Sequence, residues 1–321
     1  MARAIRVNDR TNVTSGIAAL GLRNRRQGTV AEQVHDGDTI IVRPIGDVGV
    51  RFLGIDTPEI SFRMPGNNQF LALSDQRWNR FLDNPFAAGL PPFDPPLDPS
   101  LARSLKARLR PGVAANQYAH ARAAEQALEV EIQNDLKVMQ KTEADFQLYL
   151  VFGYEIMDRY GRFLCYINRD QPDRNKPAPR PLSYNERLLA AGRASPYFIW
   201  PNLNPWRKKD SILQAVPQPG TLAAEADRDR ALRLARTSIR EARAAHRGLF
   251  DAMDPLILEP FEVRFLSGRN PPSRWVIDLS HDAGVLLPPQ AYHRIPNVED
   301  RLFVSPEHVP LFVEHGWKKG K

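Results

Sequence analysis

Cysteine is nearly absent: Cys165 is the only one in 321 residues, and it lies inside the apolar run FLCYI. A disulfide framework is therefore excluded, and the thiol reads as a small, buried, inert group. Long hydrophobic runs are missing as well. No stretch supplies the ~20 consecutive apolar residues that a membrane span requires, and the N-terminal GIAALGL is too short and too polar-flanked for a secretory leader. The seven histidines show no metal-ligand spacing, although four of them fall in residues 251–321, which argues against a zinc site. There is no internal repeat. These absences predict a soluble, cytoplasmic protein with no membrane partner.

What the chain does have is positive charge. Lysine and arginine number 44 against 37 acidic residues, a net charge of +7 with pI near 9.6, and arginine greatly outnumbers lysine. A basic balance favours a polyanionic partner without deciding for one. The chain is 42% hydrophobic and 25% charged, with 28 prolines, the composition of a globular protein with long loops. Its length allows one main domain plus a smaller one.

Residues 1–28, with arginines throughout, read as a basic, flexible arm. Between 29 and 59, TVAEQV, DTIIVRPI and VGVRFLGID are rich in β-branched residues and separated by turn chemistry, which predicts a three-strand meander. An insertion follows at 60–111, where Pro85, Pro91, Pro92, Pro95, Pro96 and Pro99 leave no room for a helix or central strand. Leu128, Ile132, Leu136 and Met139 fall at helical spacing and predict a long helix over 112–140. FQLYLVFGYEI and GRFLCYIN then read as two strands joined through MDRY. Ser183 and Glu186 form a capping box for a helix that stops at Gly192. A further helix is expected over 221–248, its arginines Arg228, Arg230, Arg233, Arg236, Arg240 and Arg243 forming a solvated face. Residues 251–321 read as a small β-rich appendage.

The chemistry gathers in VHDGDTIIV (34–42) and VRFLGIDTPEI (50–60). A meander brings Asp36, Asp38, Asp56 and Glu59 together, and like charges so crowded repel unless a cation or an arginine neutralises them. With no histidine or cysteine in the cluster, an oxygen-ligated ion such as Ca²⁺ suits it. Arg51 and Arg162 supply planar guanidinium groups of the kind that hold a phosphodiester as charge builds on its oxygens. Taken singly, each acid is also ordinary turn or cap chemistry, Asp36 most of all.

VHDGDTIIV…VRFLGIDTPE, DRYGRFLCYI, NERLLAAGRA and AHRGLF occur in this order. Together they resemble the successive motifs of the thermonuclease (staphylococcal nuclease-like) family over roughly 29–59 and 146–250. The resemblance implies an α+β domain over 29–250, an OB-fold five-stranded β-barrel with about three packed helices, carrying the proline-rich insertion and followed by the β-rich appendage. It implies that Asp38, Asp56 and the Thr57 carbonyl hold Ca²⁺, with Asp36 behind them. Glu59 would orient or deprotonate the attacking water. Arg51 would hold the scissile phosphate, and Arg162 would stabilise the transition state and assist the leaving group. DNA and RNA, preferably single-stranded, would be cut at the P–O5′ bond to leave 3′-phosphates.

One departure concerns the family's substrate-binding tyrosines, which align with Phe198 and Trp200. Base stacking there would persist without phenolic hydrogen bonds, and Tyr160 is the phenol expected nearby. Phe198 and Trp200 alternate with Ile199, so a core role is equally open. The competing expectation for the whole chain is a non-catalytic nucleic-acid or protein-binding scaffold; a third is that residues 251–321 dock an unknown partner and deliver the nuclease to it.

Overall fold

The computed structural model describes residues 4–7, 14–23, 26–36, 39–66 and 70–321. The chain folds as a mixture of helices and strands of the α+β type. It divides into two compact units, Met1–Arg51 with Glu155–Cys165, and Phe52–Tyr154 with Tyr166–Lys321.

In the first unit, the described part of the N-terminal arm is not free chain. Ile5–Val7 pairs antiparallel with Thr14–Gly16, and Ala18–Leu20 with Val42–Pro44. The expected strand at TVAEQV is instead a helical turn, Val30–Gln33. Thr29 and Glu32 explain the difference: the Thr29 backbone N–H donates to the Glu32 carboxylate at 3.0 Å, a capping contact that favours helix over strand. Val34–Asp36 pairs with Thr39–Ile40, and Val50–Phe52 lies beside Phe163–Arg169, so the three segments do not form one meander.

The two long strands are found at Leu148–Met157 and Phe163–Arg169. Their connecting turn runs through Gly161 at φ +75°, where a Cβ would meet the Ile5 side chain at 2.9 Å. Only glycine fits that turn.

The second unit is organised around a four-stranded sheet in the order Gly54–Asp56, Ser195–Trp200, Arg301–Val304, Trp275–Asp278. The central pair is parallel and the outer pairs antiparallel. Alternation along the strands sends Phe198, Trp200, Leu302 and Val304 into one core, and Phe303 and Val276 into a second. Both faces are buried, which explains why SPYFIW and RLFV read as continuous apolar runs.

Two expectations are corrected by this arrangement. The 60–111 insertion contains helices Gln76–Asp83 and Pro99–Arg108, and Trp78, Leu82, Leu101 and Leu105 fill the second core. The proline-dense loop itself stays irregular, but Pro99 opens its helix at the first turn, where no N–H is required, and Asp98 caps it. Residues 251–321 are no appendage either: they supply two of the four sheet strands and the buried helix Pro260–Gly268. Among the described residues no sheet closes into a barrel. No described helix is long and apolar enough to cross a membrane.

The long helix forms as expected, Val113–Met139, and Ser183 caps Tyr184–Ala190 with Glu186 reaching back. The 221–248 segment differs. It is two helices, Leu222–Arg228 and Arg230–Ala244, because Asp229 leaves helical geometry and caps the second. Its arginine face is only partly solvated. Arg236 is buried against Asp300 at 2.8 Å, and Arg243 donates to Glu299 at 2.9 Å.

Two measurements check this packing. Asn185 is fully buried, accepting from the Ile167 N–H at 3.1 Å and donating to the Leu53 carbonyl at 2.9 Å. Asn185→Ala leaves both backbone groups without that partner and is expected to cost about 1–3 kcal/mol in urea unfolding; an unchanged midpoint would show that the bridge contributes nothing. Burial pushes the Cys165 thiol up to about 11. At pH 8 it should resist thiol reagents in the folded protein and react at once in denaturant.

Candidate active site

Gly54–Asp56 is the edge strand of the central sheet, with Asp56 opposite Ser195. Gly54 adopts φ +75°, and a Cβ there would lie 2.7 Å from the Tyr166 hydroxyl oxygen, so the chain can turn toward Asp56 only with glycine at this position. Asp56 is 3% exposed. Thr57 follows it, half-buried, and Glu59 lies three residues on, one quarter exposed.

A single guanidinium meets both carboxylates. Arg264, on the helix Pro260–Gly268, donates from Nη1 to Asp56 Oδ1 at 3.0 Å and from Nη2 to Asp56 Oδ2 at 2.6 Å. The same Nη1 donates to Glu59 Oε1 at 2.7 Å. The Asp56 contact is a bidentate fork, the strongest geometry available to an arginine and a carboxylate. Burial disfavours the charge on Arg264, but the two carboxylates outweigh it and hold the guanidinium well above arginine's ordinary range. Like charges crowded at this strand end need a cation or an arginine, and here an arginine meets them.

Arg264 itself was not singled out in the sequence, yet it carries a signal. It sits in FEVRFLSG between Val263 and Phe265, an otherwise apolar helix with a buried partner face. A charge in such a helix requires an acidic partner somewhere in the fold.

Arg51 and Arg162 belong to the first unit. Arg51 is half-buried on the strand Val50–Phe52. Arg162 follows the hairpin turn and is held by Asp158, which accepts from its Nε at 2.8 Å and its Nη2 at 2.7 Å. The exposed ring of Tyr160 lies 5.3 Å from the Arg162 guanidinium. Burial raises the Asp158 carboxyl, but the backbone N–H and guanidinium of Arg162 prevail and keep it below the usual carboxylate range. Asp38 lies outside the described residues, and so does the side chain of Asp36.

Phe198 and Trp200 are not available to stack a base. Each is 2% exposed, in the core. Trp200 packs edge-on against Phe312 with centroids 4.9 Å apart, and its indole N–H donates to the Ala215 carbonyl at 3.0 Å. The burial of both sheet faces removes them from any substrate.

The donor chemistry suits a hard cation, since Asp56, Glu59 and the Thr57 carbonyl offer only oxygen. Arg264 already engages both carboxylates, however, so an ion would compete with it. Among the described residues no group of three or more histidine, cysteine or acidic side chains could hold a metal.

Replacing Arg264 with methionine strands a buried carboxylate. Arg264→Met is expected to destabilise the fold by about 3–5 kcal/mol, and adding Asp56→Asn to it should recover much of that loss. Equal stability of wild type and Arg264→Met in chemical denaturation would show that the fork is not what holds Asp56. In comparisons with known proteins, no family model, no curated protein and no solved structure matches this chain.

Proposed function

We propose that this chain is a calcium-dependent nuclease hydrolysing phosphodiester bonds of DNA and RNA, built on a thermonuclease-like OB-fold core. The observation that supports it most directly is the convergence of Asp56 and Glu59 on one cationic group, at positions that the motif order assigns to metal binding and water activation. A pair of carboxylates drawn to one point is the donor arrangement that a divalent ion uses.

In this reading Asp38, Asp56 and the Thr57 carbonyl would hold Ca²⁺, which would supply positive charge to the phosphate oxygens. Glu59 takes a proton from the attacking water as its oxygen bonds to phosphorus. The P–O5′ bond breaks, and the departing oxygen takes up a proton. Arg51 binds the phosphate. Arg162, aligned by Asp158, stabilises the charge on the equatorial oxygens and assists the leaving group.

A second reading is favoured by one observation, that the group meeting the carboxylates is Arg264 of the same chain. A site neutralised internally suits a non-catalytic scaffold. Hydrolysis of single-stranded DNA and RNA of equal length, in excess Ca²⁺ and then in EGTA, separates the two. The nuclease reading expects cleavage that EGTA abolishes and that Glu59→Gln slows by about 100-fold or more. Binding without cleavage in either condition would make the chain a scaffold.

A further inference from the structure

We infer that the second unit carries a separate binding groove for single-stranded nucleic acid, formed by the strand end at Tyr166–Arg169, the 170–182 loop, the turn at Pro205–Arg207 and the start of the helix Arg230–Ala244. The groove encloses about 640 Å³, within the range of ordinary ligand sites. It contains none of Arg51, Glu59 or Arg162, so it stands whether or not the chain cleaves its ligand.

Charge complementarity identifies the occupant. Arg174, Arg207 and Arg230 line the groove and are exposed. Among the described residues none of the three guanidinium groups takes part in an ion pair. Of the acids in the lining, Glu186 is engaged by the Ser183 cap, accepting from its N–H at 2.9 Å and its hydroxyl at 2.6 Å. Asp170 is the other acid. The groove is therefore a cationic cleft in a chain that elsewhere pairs its buried arginines with acids.

Two aromatic rings set among those cations point to bases and not merely to an anion. Trp206 is 49% exposed and Tyr149 54% exposed, and both line the groove. Trp206 is braced by Tyr166, with ring centroids 5.0 Å apart, so its position is fixed while half of it remains open. A base stacked on such a ring contributes about 1–3 kcal/mol, and an exposed strand offers that π-face where a duplex does not. The free cations stand on three separate segments, which suits successive phosphates of a strand better than the single phosphate cluster of a mononucleotide.

The wall is rigid before any ligand arrives. Gln171 donates to the Asp173 and Ala178 carbonyls at 2.7 Å each, and Arg180 donates to the carbonyls of Gln171 and Pro172. Beneath them Arg169 is fixed by Asp135 at 2.8 Å. A loop already ordered loses little entropy on binding.

The test uses the full chain in EGTA, with fluorescein-labelled twelve-residue oligothymidylate followed by anisotropy and by tryptophan quenching, and with thymidine monophosphate as competitor. The oligomer should bind and quench. Trp206→Ala should weaken binding about tenfold and remove most of the quenching, since Trp78, Trp200 and Trp317 are buried and the half-buried Trp275 is not among the groove's lining residues. Arg207→Gln with Arg230→Gln should lower the slope of log affinity against log salt by about 1.4, the loss of two single-strand phosphate contacts. Because the assay runs in EGTA, absence of cleavage leaves the groove standing and only loss of binding bears on it. The inference falls if the groove variants bind as tightly as wild type with matching circular dichroism, if the oligomer does not bind, or if the mononucleotide competes as well as the oligomer.

Discussion

A sheet with apolar side chains on both faces has to be covered twice, and the architecture of the larger unit follows from that requirement. Phe198 and Trp200 on one face and Phe303 and Val276 on the other cannot all be shielded by the helices that follow in sequence. The second layer comes from the 60–111 insertion and from the helix Pro260–Gly268, which meet over Phe303, Val276 and Tyr292. An insertion that reads as an interruption is thus a structural wall. The C-terminal strands are its partner, since Arg301–Val304 is buried along its whole length.

Covering the sheet on both sides also buries carboxylates around the core, and arginine meets them. Asp135 is held by Arg169 and Arg187, Asp300 by Arg236, Glu262 by Arg108, Glu259 by Arg301, and Asp56 with Glu59 by Arg264. Arginine suits this role better than lysine because its planar fork meets two oxygens at once. These six arginines meet six carboxylates and cancel, so the charge excess of +7 is carried by the rest of the chain. Where exposed arginines without acidic partners do gather, beside open aromatic rings, their placement carries more information than the total charge.

Local signals were the legible part of the sequence. The capping box at Ser183, the glycine stop at Gly192, the long helix over 113–139 and the strand pair around DRYG all follow from rules that act within a few residues. What escaped depends on distant chain. Nothing within a few residues of Phe198 reveals that Arg301–Val304, a hundred residues on, will pair beside it and close off both of its neighbours. Nothing near Asp229 other than its own capping preference divides the expected single helix. Arg264 lies 208 residues from Asp56, beyond the reach of any spacing rule.

That long-range fork sets the terms on which the carboxylates can do anything else. Asp56 is 3% exposed, and the Arg264 fork lies against both of its carboxylate oxygens. A divalent ion at Asp56 would compete with Arg264 for the same oxygens, and a displaced guanidinium, itself flanked by buried Phe265 and Val263, would need another acceptor. A bound phosphate would be such an acceptor, since it offers the fork two oxygens in the geometry that a carboxylate does. The fork is therefore what any cation at Asp56 would have to displace. It also gives the helix Pro260–Gly268 a direct hold on the candidate site, which a detached C-terminal appendage could not have.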